Sequence, residues 1–308
     1  MMRAVLLWMS RSKFLRRLIM RLGFARRAAG RFVAGETIDA AIATIRALNA
    51  SGILATVDHL GENVETEADA HRATDDYIAV LDRIGREGVK SHASIKLTQL
   101  GLDIGDDFCR ENVTRVVRKA QAVGAFIRID MESHEYTDRT LAIHHSLRQE
   151  FDNVGIVIQA YLYRSEADIA QLCAHGANVR LCKGAYQEPP SVAFPKKADV
   201  DANFVKLTQR LLRAESLARG TYSAIATHDV KMIEAAKACI TGQHVPLTRF
   251  EFQMLYGIRR DLQQQLVKAG YTMRVYVPYG TEWYPYFMRR LAERPANVWF
   301  ILRNLFRG

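Results

Sequence analysis

Asn178-Val179-Arg180-Leu181-Cys182-Lys183-Gly184-Ala185-Tyr186 begins as an apolar β-type run and finishes on residues that carry charge or hydrogen bonds. Seven other stretches follow the same plan, at residues 53–59, 91–97, 126–131, 154–161, 223–229, 249–257 and 273–280. Helical periodicity fills the intervals, as in residues 67–86 and 199–219. Strands that alternate with helices build βαβ units and a parallel sheet, and eight such units close into a barrel. The expected fold is therefore a (β/α)8 TIM-type barrel with extra N-terminal helices. Active sites of such barrels lie at the C-terminal ends of the strands. Here those ends carry Asp58, Lys96, Asp130, Glu132, Gln159, Tyr161, Lys183, Tyr186, His228, Gln253 and Tyr276. Few of these side chains are needed to fill an apolar core.

A chain of 308 residues suits one barrel of roughly 250 residues with an extension. No tandem repeat or low-complexity linker divides it. The net charge of +10 is concentrated at the start: residues 1–31 hold nine Lys or Arg and no acid, which leaves 34 basic and 33 acidic residues beyond them. A nearly neutral barrel lacks the cationic track that nucleic acid requires, so no nucleic-acid partner is expected. The expected division is a basic amphipathic arm over residues 1–35 and a catalytic barrel over residues 36–308. Within the arm, Phe14, Leu15, Leu18, Ile19 and Leu22 share one helical face and Lys13, Arg16, Arg17 and Arg21 the other, with Met20 breaking the pattern. Cys109, Cys173, Cys182 and Cys239 show no metal-binding spacing and read as buried thiols of a reducing compartment, and no metal is expected. No apolar run reaches the ~18 residues of a membrane span, and residues 4–9 are too short for a signal peptide. The expected location is the cytoplasm, with the arm as a candidate for peripheral contact at the inner face of the cell membrane.

Charged Arg180 and Lys183 in a barrel strand are costly unless an anion or electron-rich ligand meets them. Gly184 and Ala185 keep side-chain bulk low where a planar ligand would approach. The last strand leads into a helix bearing Arg289-Arg290, whose guanidinium forks suit a small carboxylate. One alternative chemistry is a Schiff-base lyase that uses Lys96 or Lys183 as a desolvated amine.

The ordered motifs narrow the choice. They are Leu60-Gly61-Glu62, Ser94-Ile95-Lys96-Leu97, Arg128-Ile129-Asp130-Met131-Glu132, Ile158-Gln159-Ala160-Tyr161, residues 180–186, Ala226-Thr227-His228, Phe250-Glu251-Phe252-Gln253-Met254-Leu255, residues 276–280 and Arg289-Arg290-Leu291-Ala292-Glu293. In this order the chain resembles the proline dehydrogenase family, and the short spacing from Tyr276 to Arg289 is similar to its monofunctional bacterial type. The resemblance implies oxidation of L-proline to Δ1-pyrroline-5-carboxylate, the first step of proline catabolism, with FAD held non-covalently at the barrel mouth. It also implies a membrane quinone as electron acceptor and pyrroline-5-carboxylate dehydrogenase as the next enzyme. No GxGxxG fingerprint is present, and this family needs none.

By that resemblance Arg180 donates toward flavin N5, and Gln159, Cys182, Lys183, Gly184, Ala185, Thr227, His228 and Gln253 surround the cofactor. Lys96, Arg289 and Arg290 bind the substrate carboxylate, and Asp130 holds Lys96. Tyr186, Leu255 and Tyr276 pack on the substrate ring, and Glu62 pairs with Arg289 as a gate. Arg180, Lys96, Asp130 and Tyr276 form the implied catalytic set. Two positions depart from the family pattern: Asp229 stands where Asn is common, and Cys182 where an aliphatic residue is usual. Tyr276 favours proline over hydroxyproline. No residue stands out as a dedicated base, which leaves solvent, assisted by the cationic pocket, to take the ammonium proton.

Overall fold

The structure, a computed structural model, describes residues 29–293, without the side chains of residues 289–293. Eight parallel strands form a closed barrel in sequence order: β1 (Leu54–His59), β2 (Ser91–Ile95), β3 (Ile127–Ile129), β4 (Val154–Gln159), β5 (Asn178–Cys182), β6 (Tyr222–Ala226), β7 (Phe250–Leu255) and β8 (Met273–Tyr279). β8 returns to β1 with Leu54 beside Arg274 and His59 beside Tyr279, which completes the ring. Outside it run α1 (Ile38–Ala50), α2 (Glu67–Glu87), α3 (Asp106–Ala122), α4 (Thr137–Arg148), α5 (Ser165–Ala174), α6 (Lys197–Leu211), α7 (Ala214–Ala218), α8 (Val230–Gly242), α9 (Arg260–Lys268) and α10 (Trp283–Glu293). The (β/α)8 barrel expected from the alternating runs is thus the fold. The single helix expected over residues 199–219 is instead the pair α6 and α7.

Local sequence sets the helix ends. The Thr66 side chain accepts the Asp69 N–H at the start of α2, and Gly88 closes that helix in the left-handed region at φ 61°. Asp229 starts α8 by accepting the Lys231 N–H at 3.1 Å. The strands are covered on both sides. All six residues of β4, Val-Gly-Ile-Val-Ile-Gln, are buried, as expected for a parallel sheet with helices on its outer face.

The two faces of the strands differ in chemistry. Val179 and Leu181 of β5, Phe250, Phe252 and Met254 of β7, and Val275 and Val277 of β8 join the apolar core. The alternating residues Arg180, Glu251, Gln253 and Arg274 instead hydrogen-bond to one another across the barrel interior. Side chains two apart on a strand share a face, so this polar set is a direct result of the period-2 alternation. Arg128 belongs to it too: its Nη1 donates to the Ile156 and Asn178 carbonyls at 3.0 and 2.7 Å. The cysteines divide between two buried thiols, Cys109 and Cys173, and two half-buried ones, Cys182 and Cys239, a correction to the uniform burial expected.

Residues 1–28, which carry most of the expected arm, lie outside the described residues. Its final stretch is knitted to the barrel. Ala29, Phe32 and Val33 are buried in a separate apolar cluster with Trp283, Tyr284 and Phe287 of α10. Backbone bonds run from Ala34 N to Pro278 O at 2.8 Å and from Gly280 N to Gly35 O at 3.0 Å. Gly257, just past β7, lets this strap pass: its φ is +75°, and a Cβ there would fall 1.7 Å from the Arg31 carbonyl oxygen. Gly257→Ala combines left-handed strain with that clash, so it should cost at least about 1–3 kcal/mol and lower the melting temperature, with new protease cleavage near residue 31. An unchanged melting temperature would mean that the strap is not held against this turn.

Candidate active site

The polar groups of the barrel interior converge at the C-terminal mouth. Asp130 follows β3, and its carboxylate is their hub. Oδ1 accepts from Ser94 Oγ at 2.7 Å and from Arg180 Nη1 at 2.8 Å, and Oδ2 accepts from the Tyr276 hydroxyl at 2.8 Å. Lys96 is held otherwise than expected: its Nζ lies 3.2 and 3.4 Å from the two Asp58 oxygens, so Asp58 at the end of β1 is its partner and Asp130 serves Arg180. Burial alone would lower the Lys96 pKa, but Asp58, with Asp130 and Glu62 behind it, raises it above the usual lysine value. The ammonium is fixed in its charged form.

Arg180 projects from β5 into the ring of strands and is 6% exposed. Its Nε donates to Gln253 Oε1 at 2.6 Å, Nη1 donates to Asp130 and to Ser94 Oγ at 3.2 Å, and its guanidinium carbon lies 5.4 Å from the Tyr276 ring centre. Its other terminal nitrogen, Nη2, is buried with no hydrogen-bond partner among the described residues. Gln159, at the end of β4, shows the complementary feature. Its Nε2 donates to the Met131 and Glu132 carbonyls at 3.2 and 2.7 Å, whereas Oε1 is a buried acceptor without a partner. One donor and one acceptor are thus left unsatisfied on the neighbouring strands β4 and β5; Arg128 Nε on β3 and Thr56 Oγ1 on β1 are also buried without a partner among the described residues.

Beyond β5 the chain forms one wall of the mouth. Lys183 is clamped by Asp201 of α6 and by Asp229, the latter at 2.7 Å, with the more exposed Lys197 joining the same two carboxylates. Asp229 therefore brings a charge to Lys183 and also caps α8. Gly184 has φ +114°, and a Cβ there would lie 2.1 Å from the Tyr161 ring, so only glycine allows the chain to cross that ring. Ala185 is exposed and Tyr186 half-buried. Just past β6, Thr227 is buried, and Nε2 of half-buried His228 accepts the N–H of Leu255 on β7 at 2.9 Å. Glu62, on the loop after β1, and Leu255 are half-buried. Arg289 and Arg290 lie on α10, whose backbone is described; their side chains are outside the described residues.

Several contributors were missed in the sequence. Ser94 and Glu251 stand inside the quoted motifs, and each faces inward because it lies two residues from Lys96 or Gln253. Glu188 gave no signal: its carboxylate receives the His134 N–H at 2.9 Å and the Tyr161 hydroxyl at 3.1 Å, and touches the His134 ring, fastening the loops after β3 and β5 together. The groove of about 460 Å³ that includes Ala47, Leu48, Tyr256 and Arg260 is on the outside of the barrel between α1 and α9, and none of the mouth residues lines it.

A parallel barrel whose strand ends converge on fixed cations and partnerless buried polar atoms has the anatomy of a TIM-barrel enzyme. The family model of proline dehydrogenase matches residues 41–303. Proline dehydrogenase 1 of Bacillus subtilis strain 168 is 42% identical over 307 residues, covering the whole of both chains. Proline dehydrogenase of Deinococcus radiodurans is 44% identical over 285 residues, which is 91% of this chain and 90% of that one. Among solved structures, proline utilization A from Bdellovibrio bacteriovorus inactivated by N-propargylglycine superimposes with a TM-score of 0.81 at 27% identity. That match covers 87% of this chain, which spans about one third of the longer protein. The chain belongs to the proline dehydrogenase family and is an oxidoreductase.

The buried Glu132 carboxylate at the mouth generates a pH prediction. It accepts the Thr98 N–H at 3.1 Å and the Thr98 hydroxyl at 2.6 Å, yet burial pushes its pKa from 4.5 up to about 7. A raised folded-state pKa means stability that is fully present below about 4.5 and lost as pH rises through about 7, a span worth about 3 kcal/mol. Glu132→Gln removes this dependence, so the stability of the variant relative to the parent should rise between pH 5 and pH 8. A parent-to-variant difference that is equal at both pH values would contradict the burial assignment.

Proposed function

We propose that the chain oxidises L-proline to Δ1-pyrroline-5-carboxylate, with FAD at the barrel mouth supplying the hydride acceptor at its N5 atom. The observation that carries this reading is the partnerless Nη2 of Arg180, a buried cationic donor held rigidly by Gln253, Asp130 and Ser94. With Gln159 Oε1 as a nearby orphan acceptor, it suits the edge of an isoalloxazine ring, which carries both acceptors and a donor. The residues present therefore fit the cofactor. Arg180 and Gln159 would hold its ring, while Lys183, Gly184, Ala185, Thr227, His228 and Gln253 would frame it.

The chain's own residues have three tasks. Arg180 places a fixed positive charge where negative charge develops, and its prior organisation avoids reorganisation during the reaction. Lys96, kept charged by Asp58, joins Arg289 and Arg290 in binding the substrate carboxylate, and Tyr186, Leu255 and Tyr276 pack on the ring. These cations also favour loss of the substrate's ammonium proton to solvent, which frees the lone pair needed for C–H cleavage. The same charge state counts against a Schiff-base lyase, because Lys96 is paired with Asp58 and Lys183 with Asp201 and Asp229, and an ammonium has no lone pair to attack a carbonyl. Glu62 would close the mouth by pairing with Arg289.

Electrons then pass to a membrane quinone, and the product goes to pyrroline-5-carboxylate dehydrogenase. Residues 1–31, with nine Lys or Arg and no acid, would dock the protein on the membrane surface that holds the quinone. Each Lys or Arg brought near anionic lipid contributes about 1 kcal/mol.

Arg180→Met should slow flavin reduction far more than it raises the proline KM, because the lost contact strengthens as the reaction proceeds. Equal single-turnover rates in variant and parent would remove Arg180 from the mechanism. Arg289→Met and Arg290→Met each remove a charge-assisted bond of roughly 1.5–3 kcal/mol and should raise the proline KM at least about tenfold. Unchanged affinity of both variants for a carboxylate inhibitor would place the carboxylate elsewhere. A chain lacking residues 1–31 should lose co-sedimentation with anionic vesicles, binding that salt weakens in the intact protein; equal sedimentation of the two would leave the arm structural.

A further inference from the structure

We infer that Glu251 is a positioning residue for the reaction: acting through Gln253, it fixes which edge of Arg180 is presented to the mouth. The inference rests on the role proposed above for Arg180. It identifies a control point outside the cofactor and substrate shell.

The geometry is a relay of three inward-facing side chains. Gln253 spans two partners with opposite demands: its Oε1 accepts from Arg180 Nε at 2.6 Å, and its Nε2 donates to Glu251 Oε1 at 2.5 Å. An amide can sit either way round in density or in solution, so its direction is set by what flanks it. Here a flipped amide would turn NH2 toward the Arg180 N–H and its oxygen toward a carboxylate, creating two repulsions at once. The direction holds as long as Glu251 is anionic. Burial alone would raise the Glu251 pKa, but Arg274, together with the hydrogen bond from Gln253 and the charge of Arg128, brings it below the ordinary glutamate value. Arg274 Nε donates to Glu251 Oε1 at 2.8 Å and the Tyr222 hydroxyl to Oε2 at 3.2 Å, so the carboxylate is fixed from both sides. Arg274 is fixed in turn by donating to the Ala55 carbonyl at 2.8 Å.

The consequence lies at the far end of the relay. With Nε engaged by Gln253 and Nη1 by Asp130 and Ser94, the planar guanidinium is constrained along two edges, and Nη2 is the nitrogen left for a ligand. Without the acceptor at Nε, Asp130 remains as a pivot about which the plane can swing. The charge at the mouth would persist, but its donor would lose direction.

A double-mutant cycle on the FAD-loaded full chain tests this, using Glu251→Gln, Arg180→Met and the pair. Two quantities are read: the single-turnover rate of flavin reduction by L-proline and the midpoint potential of the bound flavin. In the parent background Glu251→Gln should slow reduction about tenfold and make the potential more negative, while in the Arg180→Met background the rate effect should shrink to less than about twofold and the negative shift should vanish. The sign of the potential separates positioning from simple field effects. Removing a buried negative charge would by itself make the potential more positive, and would do so with or without Arg180. A positive shift in the parent background, an equal rate loss in both backgrounds, or an unaffected parent would each overturn the inference. If Glu251→Gln does not fold, Gln253→Met leaves the Glu251–Arg274 pair intact and carries the same cycle with the same expected results. A parent whose flavin is not reduced by proline would instead overturn the functional reading, and this inference with it.

Discussion

The guanidinium of Arg180, buried inside the barrel and bonded to Asp130, is the interaction on which the rest of the site depends. A buried arginine is tolerable only with a charged partner and hydrogen bonds to most of its donors, and removing one member of such a pair typically costs about 3–5 kcal/mol. Here the partners come from four strands or their ends: Asp130 after β3, Ser94 on β2, Gln253 on β7, and Tyr276 on β8 through Asp130. A single charged side chain thereby ties the register of the ring to the geometry of its mouth. In the same way Lys96 and Asp58 join β1 to the segment after β2. Its interior is thus organised by ionic and amide contacts, while the apolar core lies between strands and helices.

This division has a functional logic. An apolar barrel interior would be simpler to stabilise, since desolvating charge opposes folding, but it would present no fixed electrostatic field at the strand ends. The polar interior supplies one. The Glu251–Arg274 pair deeper in the ring supports Gln253, Gln253 supports Arg180, and Arg180 ends in a donor that no described protein group satisfies. Under the proposed reading that donor meets the flavin, which would supply its hydrogen-bond partner. The arrangement is therefore pre-organised along its whole depth, down to the strand interior.

The fold was legible because its signal is repeated eight times and is local. Each strand run had both an apolar stretch and a polar end, and all eight fell within a few residues of the observed strands; the run 178–186 overshoots β5 by four residues, the largest excess. The break between α6 and α7 near Leu212 was missed, since helical periodicity continues across it. At the site, residue types at strand ends were legible, but pairings were not. Lys96 could have turned to Asp58 or Asp130 with equal sense in one dimension; the closure of β1 against β2 decides for Asp58, whereas the inward reach of Arg180 claims Asp130. Glu188 was illegible for another reason: it is one acid in a loop, and its value arises only when two loops distant in sequence meet. The packing of Ala29, Phe32 and Val33 on α10 likewise depends on two segments about 250 residues apart in sequence meeting, which no local pattern encodes.

The most direct test of the central claim is the absorption spectrum of the purified protein supplied with FAD, recorded without oxygen before and after L-proline is added. The account predicts flavin bands that stay with the protein through gel filtration and bleach on addition of proline. A protein that retains no flavin, or whose bands proline leaves unchanged, would contradict it.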